Sequence, residues 1–97
     1  MEHEDSIPAS EFCIHHNIQL SFIHKLSDNG MIITRMVEDN IHLPISELKL
    51  VEKIIHLHFE LEINLEGIEA IIHLLNRVQD LQDEITRLNT RLKAYEP

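Results

Sequence analysis

Between Ile71 and Tyr95 apolar residues recur at alternating spacings of three and four: Ile71, Leu74, Val78, Leu81, Ile85, Leu88, Leu92 and Tyr95. This is a heptad pattern, with Ile71, Val78, Ile85 and Leu92 at a and Leu74, Leu81, Leu88 and Tyr95 at d. No Gly or Pro interrupts it. The pattern predicts one helix from Leu65 to about Glu96, capped by Asn64, with Glu66 complementing the dipole and Gly67 in the first turn. At about 1.5 Å per residue, some 30 residues extend about 45 Å, further than a globule of this size. The far half must pack on another chain or stand exposed. The g and e positions (Arg77, Glu84, Arg91; Leu75, Gln82, Asn89) offer no complementary charges for a parallel pair, so an antiparallel homodimer is expected.

Upstream the periods are shorter. Ile7 to His16 reads as a helix with Ser6 as N-cap and Pro8 in its first turn, ended by Asn17. Leu20 to Ser27 reads as a second helix with Phe22, Ile23 and Leu26 on one face, closed at Asp28-Asn29-Gly30. Met31 to Val37 and Ile41 to Leu43 read as a β-hairpin turning at Asp39-Asn40. Ser46 is placed to cap a third helix running to about Leu61, with Leu48, Val51, Ile55 and Phe59 along its buried stripe. The expectation is a mainly α chain: a winged helix-turn-helix over residues 1–63, with the hairpin as wing, then a long C-terminal coiled-coil helix over 64–97.

Charge changes the picture of the partner. The net formal charge is −9, and both halves are acidic: three basic against eight acidic side chains in residues 1–50, five against nine in 51–97. Neutralising phosphates takes Lys and Arg, so this balance argues against nucleic acid and for a basic protein surface. Aromatics are only 4% of the chain, which leaves little to stack on bases. No apolar run is long enough to span a membrane, and the acidic MEHEDS start lacks the pattern of a signal peptide. One cysteine, Cys13, excludes an internal disulfide. With the acidic start, it gives the expectation of a cytoplasmic protein.

Catalytic chemistry finds little support. Of the eight histidines (His3, His15, His16, His24, His42, His56, His58 and His73), His56 stands four residues before Glu60, a spacing that can share one helical face. His56 and His58 diverge by about 160° on a helix, and no cluster of Cys or carboxylates completes a metal site. Cys13, among apolar residues, reads as core. With no phosphate loop or nucleophile elbow, neither an enzyme nor a cofactor is expected.

The bend "HLHFELEINLEGI" carries Glu60, Glu62 and Glu66, followed by Glu69. Taken as charges, these suit a basic partner; taken as capping and solvated side chains, they need none. The exposed face of the second helix, with Gln19, Ser21, His24 and Lys25, is the other candidate contact surface.

Helix-turn-helix, hairpin and long helix together resemble the MerR-like winged-helix layout. Glu11-Phe12-Cys13 with His15, Leu57-His58 before Glu60-Leu61, Ile63-Asn64-Leu65-Glu66-Gly67-Ile68, and the tail from Leu81-Gln82-Asp83-Glu84 to Arg91-Leu92 are similar to the chaperone-modulator CbpM family. The resemblance covers roughly residues 7–95. It implies a non-enzymatic regulator that binds the J-domain of a CbpA/DnaJ-type co-chaperone, blocks its work with a DnaK-type chaperone, and antagonises its partner's binding to DNA. The alternative is a MerR-like DNA-binding transcription regulator. DNA-binding MerR proteins set arginines on the second helix and the wing; here those places hold His24, Lys25 and Arg35, then Glu38 and Asp39.

Overall fold

The structure, a computed structural model, describes residues 5–96. The elements run β1 (Ser6–Pro8), α1 (Ala9–His16), α2 (Leu20–Asp28), β2 (Arg35–Val37), β3 (Asn40–Pro44), a 3-10 turn (Ile45–Glu47), α3 (Leu48–Ile55), a π turn (His56–Glu60) and α4 (Leu65–Lys93). The fold is a mainly helical winged helix-turn-helix with a small antiparallel sheet and a long C-terminal helix. The chain divides into two compact units, one ending at Leu61 and the other beginning at Glu62.

In the first unit the expected start of α1 is corrected. Ser6 is no cap: Ser6-Ile7-Pro8 is a strand, paired antiparallel with Pro44, Leu43 and His42. The reason lies in Pro8, whose ring drives the preceding residue out of the α region, and β-branched Ile7 accepts extension readily. Pro8 itself takes φ −59° and ψ 131°, so the helix opens at Ala9. Ser6 Oγ instead lies 3.0 Å from His42 Nδ1. The sheet order is β1-β3-β2, which leaves the proline of β1 on an edge strand, where a missing N–H is tolerated.

Both α1 and α2 end in Schellman motifs. Asn17 adopts φ 57°, with Ile18 N–H donating to Cys13 O and Asn17 N–H to Ile14 O. Gly30 adopts φ 75°, with Met31 N–H donating to Leu26 O and Gly30 N–H to Ser27 O. These two stops fix the helix-turn-helix.

The hairpin turns one residue earlier than its composition suggests. Val37 pairs with Asn40, so the two-residue turn is Glu38-Asp39, with φ of 50° and 66°. Positive φ at both positions is the requirement of a type I′ turn, whose twist matches the strands. Met31 to Thr34 stay outside the strand; Ile33 N–H donates to Glu47 Oε1 (2.8 Å), and Ser27 Oγ lies 3.0 Å from Thr34 Oγ1.

The third helix is shorter than expected and its stripe is shifted. Ser46 falls within the 3-10 turn, and α3 begins without a side-chain cap. Val51 and Ile54 are the buried residues of α3, while Ile55 is half-buried. After Ile55 the backbone widens: Leu61 N–H donates to His56 O, five residues back. A π turn inserts an extra residue per turn and rotates everything after it. Phe59, expected in the buried stripe, is 51% exposed. The core of this unit is Ala9, Phe12, Cys13, Ile23, Leu26, Ile32, Leu43, Val51 and Ile54.

In the second unit Asn64 caps α4 as expected, its Oδ1 accepting from Gly67 N–H at 2.7 Å. A Cβ on Gly67 would meet Ile63 Cγ2 at 2.9 Å and Asn64 Oδ1 at 3.0 Å, so the cap itself is what requires glycine there. Helix α4 ends at Lys93, three residues short of Glu96.

Candidate partner-binding site

The helix-turn-helix leaves the outer side of α2 free, with Gln19, Ser21, His24 and Lys25 all exposed. Because α2 is a regular helix, its exposed residues divide between two flanks. On one flank Lys25, Ser21 and Gln19 border a groove of about 510 Å³ with Phe22, His58 and Phe59. On the other, His24 borders a separate cleft of about 200 Å³ with Leu20, Met36 and Asp39. His24 and Lys25, neighbours in sequence, thus serve different surfaces.

The groove has an aromatic wall. Phe22 of α2 stacks on His58 with ring centroids 5.2 Å apart and 23° between planes, and meets Phe59 at 5.1 Å. His58 and Phe59 meet edge to face at 4.8 Å. The π turn makes this possible, since it brings two consecutive residues round to one partner ring. Sequence reasoning missed the groove because it counted Phe59 at 3.6 residues per turn. A half-buried aromatic cluster that exposes Phe59, with polar rim groups, is the composition of an interface anchor.

The carboxylates of the bend are spread over both units. Glu60 lies on the π turn of the first, its Oε1 3.2 Å from His56 Nδ1. Glu62, Glu66 and Glu69 belong to the second, all exposed. Glu62 holds φ 57°, a left-handed conformation that ends the π turn segment and that its composition did not signal. Glu66 and Glu69, three apart on α4, share a face.

Along α4, Ile71 is half-buried and the later heptad positions are open. Leu74, Val78, Leu81, Ile85, Leu88 and Leu92 are between 47% and 63% exposed, and Tyr95 is exposed too.

Among the described residues no three His, Cys, Asp or Glu side chains are grouped to hold a metal ion; His3 lies outside them. His56 and Glu60 do share a face, as a pair with no third ligand among the described residues. Cys13 is buried in the core and free, and burial pushes its thiol pKa up, away from nucleophilic use. No helix among the described residues is long and apolar enough to cross a membrane.

A family model described as MerR HTH family regulatory protein matches residues 7–90. The chain belongs to this family. The match spans the MerR-like winged helix-turn-helix and most of α4. No curated protein and no solved structure matches the chain. Set against the MerR-like layout, α2 presents Lys25 as its lone Lys or Arg, and the wing tip is Glu38-Asp39. The outer side of α2 is aromatic on one flank, and the wing tip is acidic.

Proposed function

We propose that the chain is a non-enzymatic modulator that binds the J-domain of a CbpA/DnaJ-type co-chaperone and inhibits its co-chaperone activity, like the CbpM family it resembles. The observation that carries this reading is the character of α2 and the wing. Their outer surface has an aromatic groove and an acidic turn where a DNA-binding relative needs cations. The net charge of −9 adds long-range attraction for a basic partner. The chain acts in the cytoplasm, without cofactor, as a homodimer through the exposed stripe of α4.

Calorimetric titration of the full chain with an isolated J-domain tests the reading, beside a DnaK-type ATPase assay stimulated by that J-domain. Saturable binding with loss of stimulation is expected; no binding at low salt overturns it. Reversal of charge at Glu62 and Glu66 is expected to weaken binding with the circular dichroism retained, and unchanged affinity would move the contact to α2. The second reading, a DNA-binding transcription regulator, has the family match over residues 7–90 in its favour. A gel shift on the DNA upstream of the gene, run beside the titration, separates the two.

A further inference from the structure

The cleft on the second flank of α2 has a construction of its own. Met36 and Ile41 oppose each other in the β2–β3 register, so both side chains stand on one face of the hairpin. Leu43, two residues on, shares that face and is fully buried, whereas Met36 is 66% exposed. The face therefore begins in the core and runs out into solvent. Leu20 and His24, one turn apart on α2, supply the facing wall. Arg35 and Val37 alternate to the opposite face of the hairpin, and Lys25 borders the aromatic groove instead. Besides the His24 imidazole, Asp39 is the single ionisable group among the described residues lining the cleft, and Glu38 is exposed beside it in the turn.

We infer that this wing cleft docks a basic protein segment, taking one aliphatic side chain against Leu20, Met36 and Ile41 while a flanking Lys or Arg pairs with Asp39 and Glu38. The volume of about 200 Å³ suits a single inserted side chain and is too small for a helix. Charge decides the occupant. Phosphate would meet the wing carboxylates unfavourably, and an acidic peptide would find no Lys or Arg among the described lining residues. Exposed ion pairs contribute little binding on their own, so the apolar insertion supplies most of the affinity and the carboxylates supply rate and salt dependence. The inference shares with the proposed function the premise of a basic protein partner, and it specifies where that partner is gripped.

The test is an NMR titration of the 15N-labelled full chain with two probes: the J-domain, and an amphipathic helical peptide composed of Leu and Lys. Amide shifts concentrated at Leu20, His24, Met36, Asp39 and Ile41 are expected. M36S should weaken binding about tenfold, as truncation of an anchor does. E38N/D39N should weaken it about fivefold at low salt and flatten its salt dependence. That pair of substitutions keeps the turn, because Asn accepts positive φ, and thermal melts verify that each variant folds. If the J-domain binds every variant as tightly as the parent, the cleft is overturned and the modulator reading stands. If the J-domain does not bind but the peptide shifts the cleft, the modulator reading falls and the cleft stands. Uniform small shifts with both probes, or duplex DNA shifting the same amides, overturn the cleft.

Discussion

Asn64, Gly67 and Glu62 show how single residues set the backbone at the start of the second unit. The Asn64 cap satisfies a backbone N–H that the helix cannot, so Asn64→Ala should cost about 1 kcal/mol in urea unfolding followed by circular dichroism. Gly67→Ala ordinarily gains up to about 1 kcal/mol in a helix. Here the added Cβ falls 2.9 Å from the stiff γ-methyl of Ile63 and 3.0 Å from the capping oxygen, so G67A should lower stability. A higher midpoint for G67A than for the parent would contradict this. Glu62 sits in the left-handed region without being glycine. Glu62→Gly should therefore hold or raise stability while removing a charge, which separates the backbone role of this glutamate from any contact role. Cys13 adds a pH prediction. Its thiol pKa is raised by burial, so the unfolded chain ionises first as pH climbs. The resulting stability is present below the unfolded thiol range, about 8.5, and is lost as pH rises above it. Unfolding at pH 7 and pH 9.5, compared with C13A, reads the difference; the parent should lose more stability over that interval than the variant.

Elements differ in how much of their form is local. α4 is a repeated pattern with a cap at its start, so its course is legible from local spacing. Its exposed heptad stripe is the element that the proposed homodimer would bury. L81K/I85K should then yield a monomer in sedimentation velocity where the parent sediments as a dimer, with a drop in helical signal at 222 nm. Identical sedimentation would remove the stripe from the dimer. The Schellman stops of α1 and α2 are equally local, carried by Asn17 and Gly30. β1 and the π turn are not. Three residues of extended chain become a strand only because β3 is there to pair with. The π turn lets Phe59 meet Phe22, a residue of another helix, and no period in the sequence encodes that meeting.

At the scale of the whole molecule, charge governs association more than fold. An excess of nine negative charges should make J-domain affinity fall steeply with salt, because screening at 0.15 M shortens the range of attraction to about 8 Å. Titrations at 20 and 300 mM NaCl should differ by roughly tenfold or more if exposed carboxylates steer the partner. Salt-independent affinity would shift the weight to the aromatic groove alone.

The amino-acid sequence by itself determined the helices that repeat or cap themselves, the two-residue wing turn to within one position, and the acidic character of the surface. These follow from propensity, spacing and formal charge, which act over a few residues. Tertiary structure alone decided strand β1, the widened turn after Ile55, and the division of α2 between an aromatic groove and a wing cleft. Each of these depends on two segments distant in the chain meeting, so His24 and Lys25, adjacent in sequence, acquire different neighbours only once the hairpin and the π turn are in place.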